Sequence, residues 1–288
     1  MPRRAKRRTF RYHDRMNPSR RVISFGTLSF GLAHLLAAAT LCAQDPVPAP
    51  NPDLPRLLKE LKDLVGDKKG AMDFQAIGLI QVLAKDPEQR NPKDRDKVVK
   101  AIGEVFRTGK VRPADQDLLY REAADALAKF GEEGAKELRK VCENKRFDDL
   151  LPLRAHLLVS LGKTEDPAQV EFLADTATRA HQDELRAAAG EALGSYTSLA
   201  DKPRREVVKQ LLREWGSLHA KATQPDPTDP AAPIDTGPQN ARRTLRAVEA
   251  KWQRTLTRLT GVQHSQFPEW QRWLNKNPNW PVPPSPKK

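Results

Sequence analysis

Arg154-Ala-His-Leu-Leu-Val-Ser-Leu-Gly-Lys-Thr-Glu-Asp-Pro167 and Leu185-Arg-Ala-Ala-Ala-Gly-Glu-Ala-Leu-Gly194 carry one pattern. Counted from an anchor residue, alanine or leucine stands at +3, a small residue at +6, leucine at +7 and glycine at +8. From Arg154 these are Leu157, Ser160, Leu161 and Gly162; from Arg186 they are Ala189, Ala192, Leu193 and Gly194. Tyr120 anchors Ala123, Ala126, Leu127 and Ala128, and Ala76 anchors a looser copy, Leu79, Val82, Leu83 and Ala84. Small residues three apart let one helix approach its neighbour closely, while the leucine fills the groove between them. The leucines at 83, 127, 161 and 193 are separated by 44, 34 and 32 residues, so a second helix fits into each interval.

Outward from these copies, apolar residues keep returning at spacings of three and four, as in Val98, Val99, Ile102, Val105 and Phe106, or Val207, Val208, Leu211, Leu212, Trp215 and Leu218. The periodicity runs from 54 to 222, punctuated by glycine, proline and aspartate. Asp166-Pro167 has the form of a helix N-cap with proline at the first helical position. No run keeps a period of two, so no strand is expected. Ordering a residue costs roughly 1–2 kcal/mol of backbone entropy, and a buried leucine returns roughly 1.5–3 kcal/mol. A lone helical hairpin therefore falls short, whereas stacked hairpins share a continuous core. Helix 203–221, with Arg204, Arg205, Lys209 and Arg213 opposite its apolar face, reads as the terminal cap.

The 185–194 stretch looks like the second helix of a HEAT repeat, and the Gly-then-Asp-Pro turn of 162–167 resembles the join between successive repeats. The likeness is closest over 132–198 and extends from 54. It implies an all-α chain, a short right-handed α-solenoid of HEAT-like hairpins whose concave face serves protein–protein interaction, with a Pro-rich linker and a C-terminal helical tail added. A plain helical bundle is the competing architecture.

The chain's formal charge of +13 sits at its two ends. Residues 1–43 and 241–288 each carry about +8, which leaves the body near −3, so a nucleic-acid-binding body is not indicated. Residues 1–43 have the form of a secretory signal peptide: a basic stretch to Arg21, an apolar run from Val22, and Leu41-Cys42-Ala43 at the cleavage position. The expected address is periplasmic or extracellular. Alternatives are an uncleaved anchor, twin-arginine export through Arg20-Arg21, and a lipid-modified Cys42, which Leu41 disfavours. Residues 44–53, rich in proline, form a tether before the repeat region of 54–222. After cleavage Cys142 is the one thiol left, which excludes an internal disulfide.

Residues 223–238 hold five prolines and form a linker. Within 239–288, Leu245, Val248, Trp252, Leu256 and Leu259 line a basic amphipathic helix that Gly261 should end. Four of the five tryptophans, Trp252, Trp270, Trp273 and Trp280, fall in this tail. They suit three roles: binding a partner or glycan, touching a membrane interface, or folding back onto the repeats.

No chemistry-bearing constellation stands out. The histidines lack ligand spacing, so no metal or cofactor is expected. Ser160-Leu-Gly-Lys163 matches a bare S-x-x-K, but Ser160 occupies a buried small position and no companion motif exists. Gly66-Asp-Lys-Lys-Gly70 lacks the residues of a phosphate loop. The expected function is non-enzymatic: an extracytoplasmic scaffold binding another protein, with Arg154, Arg186, Trp252, Trp270 and Trp273 as candidate contact residues. The alternative is an envelope adaptor whose basic, Trp-rich tail binds membrane or cell-wall polymer.

Overall fold

A computed structural model describes residues 48–225 and 236–280, all within the unit Pro46–Lys288. The leader and parts of the tether, linker and tail fall outside the described residues. Among the described residues there are eleven α-helices and no strand. They are α1 (Leu54–Val65), α2 (Asp73–Leu83), α3 (Pro92–Glu104), α4 (Leu118–Ala128), α5 (Gly131–Cys142), α6 (Leu151–Lys163), α7 (Val170–Arg179), α8 (Asp183–Leu193), α9 (Asp201–Ala222), α10 (Gly237–Thr260) and α11 (Phe267–Lys276).

Their ends follow local chemistry. Asn91 accepts a hydrogen bond from the Lys93 amide before Pro92 opens α3. Asp166 caps a short 3-10 turn, Pro167–Gln169, that runs on into α7. Gly261 closes α10 at φ 73°, a left-handed conformation in which a Cβ is unfavourable.

Consecutive helices pair as hairpins, and the hairpins pack in two rows. The inner row is continuous: α2 lies on α4, α4 on α6, α6 on α8 and α8 on α10. In the outer row α1 packs on α3, α3 on α5 and α7 on α9. Between α5 and α7 that row opens, and the gap is bridged by Arg139, whose guanidinium carbon sits 3.6 Å from the centre of the Phe172 ring.

The repeated positions have repeated surroundings. Leu83, Leu127, Leu161 and Leu193 are all fully buried. So are Ala123, Leu157 and Ala189 at +3, with Ala126, Ser160 and Ala192 at +6 hardly less so. A Cβ added to Gly162 would lie 2.6 Å from the Ala192 carbonyl oxygen, which places the +8 glycine of α6 against the +6 alanine of α8. The looser copy departs for a geometric reason. Among the described residues no inner helix precedes α2, so Val82 in its +6 seat is 57% exposed.

Helix α9 does not end the packing as the terminal cap its sequence suggested. It packs against α7, α10 and α11. Helix α10 continues the inner row and supplies a fifth copy of the pattern, anchored at Glu249. Val248 occupies the −1 position that Leu119, Leu153 and Leu185 hold elsewhere; Trp252 stands at +3, Thr255 at +6 and Leu256 at +7, all buried. The indole of Trp252 fills the space left by Gly190, where an added Cβ would collide with it. Thr255 Oγ1 donates to the Gly190 carbonyl at 2.7 Å.

Candidate functional site

The two anchor arginines have different fates. Arg186 on α8 is buried: its Nη2 meets Glu214 of α9 at 2.7 Å, and its Nε donates to the Ala177 carbonyl at 3.2 Å. It ties one hairpin to the next. Arg154 on α6 is only half-buried, 3.1 Å from Asp148, and lines an open groove of about 530 Å³ where the outer row parts. Leu158, Phe172 and Leu185 give that groove apolar walls, and Arg154, Arg179 and His181 stand among its polar lining. Its acidic residues Glu143 and Asp175 pair with Arg139 and Arg179 at 2.7 and 3.4 Å. Cys142 also lines it, and burial pushes its thiol up to about 12, far from the reactive thiolate range.

The three candidate tryptophans separate as well. Trp252 is fully buried, with its Nε1 3.3 Å from the Arg186 carbonyl. Trp270 is fully buried, edge-on to His264 at 5.0 Å and to Trp273 at 5.8 Å between ring centroids. These two are corrected to core residues, because the tail folds back on α8 and α9 and their indoles have no solvent-facing edge to offer. Trp273 alone of the three keeps part of its surface, packed against Trp280 at 5.4 Å.

A polar ladder runs along the inner row, and the sequence reading missed it. At three of the four joins the +5 residue of one helix meets the +2 residue of the next: Gln81 donates to Glu122 at 3.1 Å, Asp125 lies 3.2 Å from His156, and Glu191 lies 3.0 Å from Lys251. The α6–α8 join has Val159 and Ala188 at these positions. Asp125 is the densest rung. Ser160 Oγ and Lys163 Nζ both donate to its Oδ1, at 2.9 and 2.8 Å. Burial opposes its charge, yet His156, Lys163 and Ser160 outweigh that and hold the carboxyl well below the usual carboxylate range. The S-x-x-K residues thus share one acceptor, with Ser160 removed from solvent.

No family model, curated protein or solved structure matches this chain. Among the described residues, no group of three or more His, Cys, Asp or Glu is placed to hold a metal ion, and no helix is long and apolar enough to cross a membrane. Three of the exposed large apolar residues stand on or beside α2, Phe74 at 80%, Val82 at 57% and Met72 at 37%, and the fourth, Leu118 at 47%, opens α4. An apolar residue at a helical spacing reads as core in a sequence. Only for Val82, at +6, does the open end of the row explain the exposure: among the described residues no helix of the inner row lies before α2. Phe74 and Leu118 hold the −2 position, which is also exposed at Pro152 and Glu184.

Proposed function

We propose that this chain is an exported, non-enzymatic scaffold of the HEAT-like, right-handed α-solenoid type, and that it binds a protein segment in the groove beside Arg154. The two-row packing and the equivalent burial of Leu83, Leu127, Leu161 and Leu193 support the repeat architecture. The basic and apolar leader sequence supports export. One observation carries the binding site: where the outer row opens, apolar walls lie beside the guanidinium of Arg154, whose ion-pair partner is the exposed Asp148, while the equivalent Arg186 is buried against Glu214. An apolar side chain flanked by a carboxylate fits that chemistry, since a guanidinium pairs a carboxylate bidentately.

A photo-crosslinking residue in place of Phe172 tests this in native envelope fractions. The proposal expects a discrete adduct that Arg154→Glu abolishes and Arg186→Lys leaves. An adduct indifferent to Arg154→Glu, or none in membrane and soluble fractions alike, contradicts it.

The adaptor reading now rests mainly on charge. Arg246, Arg254 and Arg258 are exposed on α10, whereas Trp252, Trp270 and Trp280 are buried and Trp273 alone of these tryptophans keeps part of its surface. Co-sedimentation with anionic lipid vesicles, lost on reversing those three charges, would favour it over the groove.

A further inference from the structure

A stack of helical hairpins needs polar outer faces at both ends to stay apart from other molecules. Here the two ends differ. The last inner helix, α10, turns the exposed residues Arg246, Ala250 and Arg254 outward, one turn apart. The first inner helix, α2, exposes Phe74, Gly78 and Val82 with the same spacing, and Met72 stands beside them. Position +6 of this stripe is the one that α4, α6 and α8 bury against a preceding helix. The α2 face is built to receive a helix, and within the described residues none arrives.

The chemistry of the neighbouring α1 face points to what does. The side of α1 toward α3 is Leu58, Leu61, Lys62 and Val65. Its opposite side shares an open groove with Met72 and carries Arg56, Lys59, Glu60 and Asp63. Their signs run plus, plus, minus, minus along the helix. Within α1, Arg56 and Glu60 pair at 3.4 Å, both exposed. Turned end for end, the series is also its own complement: Arg56 meets Asp63 of a second copy, and Lys59 meets Glu60. The stripe on α2 has the same property, since Phe74 and Val82 lie equally far from Gly78. A Cβ added at Gly78 meets nothing within 4 Å, so a partner helix has room to come close there. The two centres also agree in height. That of α1 lies about five residues before the 66–72 turn, that of α2 five residues after Asp73, and the turn folds one helix back on the other. One two-fold axis can therefore pass through both.

We propose that a second copy of this chain covers the α1–α2 end, α1 against α1 and α2 against α2, each pair antiparallel, in a closed dimer. The arginine-bearing face of α10 does not suit an apolar stripe, because covering it would desolvate Arg246 and Arg254 against apolar side chains, with Glu191, 3.7 Å from Arg254, as the counter-charge close to it. Head-to-tail filaments are disfavoured for that reason. The footprint, about 18 Å long and about 20 Å wide from the lengths and diameters of two helices, is small for a specific interface. A dissociation constant in the micromolar range is expected.

Sedimentation equilibrium of the full chain tests this over a concentration series. The expected result is a reversible rise from the monomer mass, 32.4 kDa for the uncleaved chain, to twice the monomer mass. Val82→Glu, at an exposed position, should weaken association at least tenfold with an unchanged far-ultraviolet spectrum. Asp63→Lys should also weaken it, and Arg56→Asp combined with Asp63→Lys should restore it. A chain that stays monomeric, assembles beyond two copies, or dimerises equally well with Val82→Glu overturns the proposal. Failure of the double charge exchange to restore association overturns the antiparallel pairing. None of these variants touches the Arg154 groove, so the outcome is separable from the proposed partner site.

Discussion

The two ends of the inner row, α2 and α10, solve the same packing problem by different means. Helix α10 is held by an aromatic wedge: Trp252 enters the space that Gly190 leaves, and Thr255 bonds the backbone beside it. Helix α2 is held by a polar fork. Arg112, 5% exposed, grips Asp73 with two bonds of 2.9 Å and reaches the Asp67 carbonyl at 2.8 Å. The wedge finishes the row with an outward face of arginines. The fork anchors only the start of α2 and leaves its apolar stripe in the open. A row of like helices thus needs a special device at each end, and where the device is polar and local the apolar seat beyond it stays vacant.

Trp252→Ala should break the comparison most severely. It empties a fully buried site and should cost about 3–5 kcal/mol, measured as a fall in the urea midpoint. A loss below about 1 kcal/mol would mean that α10 is appended to the row without belonging to it. Arg112→Ala comes next, at about 3 kcal/mol, because it leaves the Asp73 carboxylate without its partner in a mostly buried place. A double variant with Asp73→Asn should lose less than the sum of the two single changes.

The pattern in 154–194 made the inner helices legible. Leu127, Leu161 and Leu193 could be aligned because leucine at +7 follows a small residue at +6, and a sequence shows both. Helix α10 was legible as a helix ending at Gly261, but its place in the inner row stayed hidden for two reasons. Its leucine, Leu256, lies 63 residues beyond Leu193, across the proline-rich stretch, and its +3 residue is tryptophan where the other copies have alanine or leucine. The compensation sits in the partner helix, at Gly190, and a pattern read along one strand of sequence does not connect the two. The same limit hid the groove. Arg154 and Arg186 hold equivalent positions, but Glu214, which separates their roles, lies on a different hairpin.

The +6 seat sharpens the comparison by its two occupants. Ala192→Val forces extra methyls against α6 and should cost about 1–3 kcal/mol, whereas Val82→Ala on the open end should change stability by no more than about 0.5 kcal/mol. Equal effects in denaturant titrations would remove the distinction between a filled and a vacant seat.

The smallest effect is the pH response of the Asp125 rung. Its folded-state pKa is depressed below the unfolded value of about 3.9, so its contribution is complete above that pH and is lost as pH falls through the folded value. Its side chain is 38% exposed, and solvent screening keeps the contribution small. Urea midpoints compared between pH 6 and pH 3 should fall less in Asp125→Asn than in the wild type. An identical fall in both would take the rung out of the stability balance.

The central claim is that α10 is the fifth member of the inner row, cooperative with α8 across the proline-rich stretch that divides them in sequence. Native-state hydrogen exchange resolved by peptide tests it most directly. The account predicts that amides of 244–260 exchange as slowly as those of 185–193, and that Trp252→Ala speeds both segments together. Rapid exchange throughout 237–260, with α8 still fully protected, would contradict it.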